Sequence, residues 1–392
     1  MGRGRDPGHG PSDLGAGPLQ HALGGQEGGQ ALTPPPAGAG RRPQGQGPSV
    51  LILFSDTGGG HRAAAGALRR AVLSLDPGAR VTITDPLILE GRPVVRRLAS
   101  LYSPLIRRSR LAWGAVYHGS NNRAAFTAMR LVFGPGVLGI LRARLRESSP
   151  DVVVSVHPLL NEIAWRALRA AGTATPLVTV VTDLVELHRG WLFRRADLVV
   201  VPTEDALTAC QRRRIPAERL RLLGLPVDPR FRPPGPGERG AVRLRLGLEA
   251  ERFTILVSGG GEGSGNLLEQ IRRLAWLPRP WQVIAVCGRN ERLRRRLERV
   301  RFRTPTLVLG FVEDMPDLMR AADLVVGKAG PGIIAEAMAT GVPIVLTGYL
   351  PGQETGNVAY VTRTGAGRYA PSPDELLATV EELAGAEAVA CR

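Results

Sequence analysis

The apolar positions of this chain fall into short unbroken runs separated by stretches with helical spacing. Val50-Leu51-Ile52-Leu53-Phe54 runs into Ser55-Asp56-Thr57-Gly58-Gly59-Gly60, the pattern of a buried strand entering a glycine turn, and Ala63 to Leu75 then reads as a helix. The same grammar returns at Val81-Thr82-Ile83, Asp151 to Ser155, Leu177 to Val181 and Leu198 to Val201. A second set opens with Phe253 to Ser258 running into Gly259-Gly260-Gly261. It continues with Trp281 to Val286, Leu307 to Leu309, Leu324 to Val326 and Ile344 to Leu346. Strands that alternate with helices and are apolar on both faces predict parallel sheets covered on both sides. Each half starts with a strand entering three glycines, so the chain reads as α/β, two Rossmann-like domains facing a central cleft.

Composition sets the boundaries. Residues 1–48 are dominated by Gly, Pro, Gln and Ala and have little to bury, which predicts a disordered low-complexity tail or a start codon assigned too far upstream. Residues 49–228 form the N-terminal half, the Pro- and Gly-rich stretch 229–240 a linker, and 241–392 the C-terminal half. At ~150 residues per domain, the 392 residues agree with two domains and a remainder. No run of about 18 apolar residues is free of charge, so no membrane span is expected, and the N-terminus lacks the apolar core of a secretory signal. Cys210, Cys287 and Cys391 are too few and too far apart for a disulfide framework or a zinc site, and a reducing cytoplasm is the expected compartment.

Charge changes this picture. With 51 basic against 35 acidic residues the net charge is +16, which calls for an anionic partner: a phosphorylated ligand, an acidic membrane or nucleic acid. The basic residues are spread along the chain and only 5% of residues are aromatic, so nucleic acid is not expected. Lys328 is the only lysine. Between Arg92 and Tyr117, Val94, Val95, Leu98, Leu101, Tyr102, Leu105 and Ile106 share one helical stripe. Arg96, Arg97, Arg107 and Arg108 lie outside it. That is a basic amphipathic helix broken at Pro104, trailed by Trp113 and Tyr117; contact with anionic membrane lipids and coverage of the protein's own core both stay open.

Candidate chemistry collects at strand ends. A glycine turn before a helix exposes N–H groups without intrahelical acceptors and suits phosphate, but neither turn is a P-loop. His61 follows the first turn, where the helix dipole disfavours the imidazolium and keeps the ring neutral, as a general base requires; a capping or surface histidine is the other reading. His157 ends one strand, and Asp183, His188 and Trp191 follow another; Asp183 reads equally as a cap. In Gly327-Lys328-Ala329-Gly330-Pro331-Gly332 a strand again meets a glycine turn. Glu336, one turn into the helix, either accepts a ribose diol or is solvated.

Asp56 to Arg62, Thr182-Asp183-Leu184 with His188 and Trp191, Gly224 to Val227, Gly259 to Gly263, Gly310 to Met315, Lys328 to Ala337 and Pro351 to Asn357 together resemble one family. It is the monogalactosyldiacylglycerol synthase and processive diacylglycerol glucosyltransferase group, related to the N-acetylglucosaminyltransferase of peptidoglycan lipid-intermediate synthesis. The resemblance covers about Val50 to Ala370. It implies a GT-B fold and an inverting transfer of a hexose from a UDP-sugar to diacylglycerol or glycosyl-diacylglycerol, with no metal and no cofactor beyond the donor. The implied location is peripheral, on the inner, cytoplasmic face of the cell membrane. By resemblance Phe311 and Val312 line the uracil, Glu336 takes the ribose, and the loop Gly259, Gly260, Gly261, Glu262 to Gly263 takes the diphosphate. Gly330 and Gly332 belong to the same donor set, and Gln353, Glu354 and Asn357 face the sugar and phosphate. The N-terminal half takes the acceptor, with His61 and then Asp183 as candidate bases, and with His188, Trp191, Trp113 and the four arginines toward the lipid.

Three other readings are carried along: a UDP-N-acetylglucosamine transferase for another lipid-linked acceptor, an inactive sugar-nucleotide binder, and a basic nucleic-acid-binding protein. Two departures from the family stand out. Ser264-Gly265-Asn266 is less regular than the pattern after Gly263, and the chain stops soon after Leu383-Ala384-Gly385, where relatives usually have a further helix returning to the first domain.

Overall fold

The structure is a computed structural model that describes residues 47–56, 59–88, 90, 110–261, 263 and 266–390. The expected tail, except its last two residues, and most of the expected amphipathic helix, with Arg96, Arg97, Arg107 and Arg108, lie outside the described residues. So do Glu262, Ser264, Gly265 and Cys391.

The N-terminal sheet contains β1 (Ser49–Leu53), β2 (Arg80–Thr84), β3 (Val152–Ser155), β4 (Leu177–Val180), β5 (Leu198–Val201) and β6 (Leu220–Leu222). All pairs are parallel, in the order β2-β1-β3-β4-β5-β6. Among the described residues its helices are α1 (Gly60–Leu75), α2 (Arg110–Ser120), α3 (Arg123–Ser148), α4 (Asn161–Ala170) and α5 (Glu204–Arg212), with 3-10 turns at Arg189–Trp191 and Ala217–Arg219. The C-terminal sheet contains β7 (Phe253–Ser258), β8 (Trp281–Val286), β9 (Thr306–Leu309), β10 (Leu324–Gly327), β11 (Ile344–Leu346) and β12 (Gly367–Tyr369), again parallel, in the order β12-β11-β10-β7-β8-β9. Around it pack α6 (Glu238–Arg245), α7 (Leu267–Ala275), α8 (Glu291–Glu298), α9 (Met315–Ala321), α10 (Pro331–Thr340), α11 (Thr355–Arg363) and α12 (Pro373–Ala390). All the described residues belong to one compact unit.

The apolar runs are strands because both faces are covered. Leu51, Leu53 and Val153 pack with Leu141 and Leu160 on one side of the first sheet, while Val50, Ile52 and Phe54 pack with Ala65 on the other. In the second sheet Leu256 and Ile284 face one helical layer and Ile255, Val257 and Val283 the opposite one. Each sheet reverses its winding beside its first strand: β1 lies between β2 and β3, and β7 between β8 and β10. Loops leaving the carboxyl ends of such strands diverge and open a crevice. Both glycine turns therefore stand at switch points.

Some boundaries differ from the sequence reading. Helix α1 begins at Gly60, three residues before the expected Ala63, because Gly59 takes a left-handed cap at φ 87°; His61 consequently sits in the first turn. Residues 238–240, expected in the linker, open α6. Helix α3 is long and apolar enough by length and composition to cross a membrane, which a search for uncharged runs misses because Arg130 interrupts it.

A buried ion pair ties the second sheet to its helices. Asp323, just before β10, accepts from Arg243 at 2.5 Å, from Arg239 at 2.9 Å and from the Thr254 backbone N–H at 2.7 Å. Arg243 also donates to the carbonyls of Ala321 and Ala250 at 2.8 and 2.9 Å. Removing the carboxylate strands a buried guanidinium. Asp323→Ala should therefore cost ~3–5 kcal/mol, read as a fall in the urea unfolding midpoint.

Candidate functional site

The N-terminal wall is built on the ends of β1, β3 and β4. Arg62 on α1 donates to Asp56 at 2.6 Å, and the Asp56 N–H donates to Asp85 at 3.0 Å, which fixes the turn after β1. His61 then points inward. Its Nδ1 lies 3.0 Å from Thr182 Oγ1 at the end of β4. Its ring meets His157 edge-on at 4.7 Å and Trp191 at 6.0 Å. Burial pushes the His61 pKa down to about 4, against the pull of the Val156 carbonyl and the Asp56 charge. The imidazole is neutral at pH 7.

Asp183 follows Thr182 but turns to other partners. Trp191 Nε1 donates to its Oδ2 at 2.7 Å, so the fully buried indole is held by its one polar atom. Burial raises the Asp183 pKa to about 6; hydrogen bonds from Trp191, the His188 backbone and the Gln353 side chain oppose the rise, and the charge of Glu354 adds to it. His188 caps the 3-10 turn: its Nδ1 accepts from the Gly190 N–H at 3.2 Å, and its Nε2 lies 3.4 Å from Ser120 Oγ. The rings of Tyr117 and Phe126 flank it at 5.6 and 5.5 Å. Burial depresses the His188 pKa to about 4. Trp113 lies on α2.

The C-terminal wall is the divergence of β7 and β10. After β7, the Gly263 N–H donates to the Gly260 carbonyl and the Arg289 N–H to that of Gly261, each at 2.9 Å, folding the loop onto residues 287–290. Gly263, at φ 58°, admits no side chain, since a Cβ would come within 2.0 Å of the Cys287 carbonyl oxygen. Arg289 stacks over the exposed Phe311 ring at 4.6 Å. Val312 lines a cleft of about 320 Å³ with Val242, Leu246, Leu309 and Leu318.

Beyond β10, Gly330 caps α10 with Pro331 in its first turn and Gly332 next to it. Glu336, further along α10, is pushed up to about 7 by burial and by the charge of Asp228. Lys328 pairs with the buried Glu354, whose second oxygen accepts the Leu350 N–H at 2.8 Å. Asn357 donates through Nδ2 to the Ala329 carbonyl at 2.8 Å. Its Oδ1, and Oε1 of Gln353, are buried without a partner among the described residues.

The loop carrying these residues reaches the other wall. The Gly356 N–H donates to Glu186 at 2.7 Å. Arg70 on α1 pairs with Asp228 at 2.7 Å, and Arg363 with Asp205 at 2.5 Å. Thus His61, Asp183, His188 and Trp191 come together with Gln353, Glu354 and Asn357. Phe311 and Val312 stand on the β9 side of the same half. Thr182, Ser120, Arg289 and Asp228 were not among the sequence candidates. Thr182 alone had a local signal, its position beside Asp183 at a strand end. Among the described residues there is no group of three or more His, Cys, Asp or Glu able to hold a metal ion.

Residues 61–227 match the family described as monogalactosyldiacylglycerol (MGDG) synthase, and residues 254–385 match the glycosyltransferase family 28 C-terminal domain. Monogalactosyldiacylglycerol synthase 1, chloroplastic, of Arabidopsis thaliana is 35% identical over 349 residues, which are 86% of this chain and 64% of that protein. The probable monogalactosyldiacylglycerol synthase 2, chloroplastic, of Oryza sativa subsp. japonica is 35% identical over 83% of this chain and 71% of its own length. The chain belongs to the monogalactosyldiacylglycerol synthase family. MurG of Acinetobacter baumannii shares the fold of this MGDG synthase family member at a TM-score of 0.53, with 19% identity over 88% of this chain and 94% of that one. The architecture is GT-B. One expectation falls: these relatives are chloroplastic, which does not fit a cytoplasmic location on the inner face of the cell membrane.

The half-buried imidazole of His61 and the buried one of His188 make acid stability a direct readout of the site. The folded protein keeps His61 and His188 neutral down to about 4, whereas the unfolded chain protonates them near 6.5. Stability is therefore lost as pH falls from about 6.5 to about 4. Asp183, raised to about 6, and Glu336, raised to about 7, act oppositely within their own windows, two carboxyls against the imidazoles of His61, His188 and His157, the last also lowered by burial. Urea midpoints measured from pH 7 to pH 4 should drop, and His61→Gln with His188→Gln should flatten the drop. An unchanged slope in the double variant would mean the rings are open to water.

Proposed function

We propose that this protein is an inverting glycosyltransferase that moves a hexose from a UDP-sugar to diacylglycerol. The observation that carries the proposal is the contact between the two walls, where the Gly356 N–H donates to Glu186 at 2.7 Å. It brings a pocket holding a neutral imidazole against a loop with unpartnered carbonyl oxygens, beside the glycine-rich ends of β7 and β10. Membership of the MGDG synthase family supports the donor and acceptor classes, and the relatives' name favours galactose as the sugar.

In this reading residues 241–392 bind the donor and residues 49–228 the acceptor. The loop from Gly259 through Glu262 to Gly263, with Gly330 and Gly332 at the start of α10, borders the diphosphate; the N–H groups of Gly259, Gly260, Gly263 and Gly330 donate within the protein, so the N–H groups of the first turn of α10 serve it. Phe311 and Val312 border the uracil, and Glu336 accepts from the ribose diol. Asn357 Oδ1 and Gln353 Oε1, which lack donors, accept from sugar hydroxyls. Glu354 acts through its pairing with Lys328. No metal or cofactor is assigned a step.

On the acceptor side, His61 takes the proton of the attacking hydroxyl. Its low pKa keeps the lone pair available, and Thr182 holds the ring in place. Asp183 and Trp191 support the pocket floor, and His188 with Tyr117 and Phe126 lines the way out along α3. Leu131 and Val132 on α3 are each 68% exposed, and Arg123, Arg142 and Arg146 on the same helix are exposed as well. An apolar helix face bracketed by arginines suits the surface of an anionic bilayer, where a diacylglycerol acceptor resides.

The test is incubation with diacylglycerol in anionic vesicles and a panel of UDP-sugars, reading the glycolipid by mass. Formation of hexosyl-diacylglycerol from UDP-galactose is expected; UDP binding without product would leave only a sugar-nucleotide binder. His61→Ala should lower turnover by about 10²–10⁴ while UDP binding is preserved. Near-normal turnover would remove His61 as the base. Glu336→Ala should raise the KM for UDP-sugar about tenfold or more, since a lost charge-assisted hydrogen bond is worth roughly 1.5–3 kcal/mol. An unaltered KM would exclude the ribose role.

A further inference from the structure

Of 51 basic side chains, Lys328 is the single lysine. This chain uses arginine on its surface, in the buried pair with Asp323 and in every other salt bridge among the described residues. An ammonium appears at one place, the turn between β10 and α10. The two cations differ in kind. Arginine is a planar fork that grips a carboxylate with two parallel hydrogen bonds, whereas lysine is a compact charge with three N–H donors in different directions.

The surroundings of Lys328 fit the compact form. A Cβ at Gly330 would come within 3.3 Å of Nζ and 3.6 Å of Glu354 Oε1, so the pair lies close against the backbone that caps α10. The ammonium bonds one oxygen of Glu354, and the Leu350 N–H holds the other. An arginine here would close a two-point fork on Glu354 and spend its charge within the pair. The lysine keeps two N–H donors, and its side chain is 25% exposed while that of Glu354 is 3% exposed. The first turn of α10 adds N–H groups without intrahelical acceptors, beside a cap residue that has no side chain to satisfy them. A separate sign of a ligand is Asn357. It is anchored through Nδ2 to the carbonyl of Ala329, the residue after Lys328, and its buried Oδ1 waits for a donor.

We propose that Lys328 is the cation that receives the diphosphate of the nucleotide donor, with Glu354 holding its ammonium toward the start of α10. This rests on the UDP-sugar reading and names the side chain that meets the leaving group. In the transfer, the acceptor oxygen bonds the anomeric carbon and its proton passes to His61. The bond from that carbon to the phosphate oxygen breaks, and its electron pair stays on UDP, which gains one negative charge. Lys328 faces that charge as it grows.

Calorimetric titration of UDP and of uridine, which lacks the phosphates, into the wild type, Lys328→Arg and Lys328→Met tests the assignment. Both variants should lose at least tenfold in UDP affinity and keep uridine affinity within about twofold, and Lys328→Arg should lower kcat despite its retained charge. UDP binding by Lys328→Arg equal to that of the wild type would overturn the proposal, because arginine would then serve. Equal losses for UDP and uridine would overturn it too, reducing the lysine to a strut for the 350–357 loop. A wild type that binds neither compound would sink the donor reading itself, and a binding-competent wild type that makes no glycolipid would sink only the transfer.

Discussion

The loop between β11 and α11 crosses from one sheet to the other, and the contact of Gly356, at the start of α11, with Glu186 is the constraint on which the site depends. Its backbone must come close to do so. A Cβ on Gly356 would lie 2.6 Å from Val185 and 2.8 Å from Glu186, so only glycine lets its N–H reach the Glu186 carboxylate at 2.7 Å. Asp183 and Trp191 lie buried on the N-terminal side of this crossing. Desolvation then sets the charge states: it lowers the pKa values of His61 and His188 and raises those of Asp183 and Glu336.

The two walls differ in electrical character for that reason. The N-terminal wall packs His61 against His157 and Trp191, with a threonine hydroxyl rather than a carboxylate next to the His61 ring. Asp183, the nearby carboxylate, is committed to Trp191. Among the described residues His61 therefore has no aspartate hydrogen-bonded to its ring of the kind that in other enzymes steadies an imidazolium. The C-terminal wall instead collects the N–H groups at the start of α10 and the Lys328 ammonium beside a carboxylate. The proposed transfer, which delivers a proton to one wall and an electron pair to the other, suits such a division.

Most of the architecture was legible in the sequence. Ten of the twelve strands announced themselves as apolar runs because strands covered on both faces can tolerate little else. The other two, β6 and β12, are three residues each, with Arg221 and Arg368 at their centres. These strands form sheet edges and need no apolar alternation to pair. The candidate site was readable only as separate strand ends. Nothing in local spacing told that Asp183 would bond Trp191, eight residues on, rather than His61. Nor did it tell that Glu354 would have both oxygens engaged within its own half. Such choices depend on which loops meet, and the switch points that bring them together belong to sheet order.

The basic charge is also resolved by position. Arg230 and Arg70 converge on Asp228, Arg232 forks onto Glu238, and Arg368 onto Glu382, so many arginines are neutralised within the fold and contribute little as a free field. The exposed Arg123, Arg142 and Arg146 have no carboxylate partner among the described residues, and they lie on α3, whose outer face is apolar. Nucleic acid offers phosphates but nothing to cover Leu131 and Val132. A bilayer surface offers both anionic headgroups and acyl chains. Phe126, on the same helix, touches the His188 ring that borders the pocket. The exposed apolar face and the residue that borders the pocket are thus two parts of one element, the arrangement that the proposed transfer to a bilayer-resident acceptor needs.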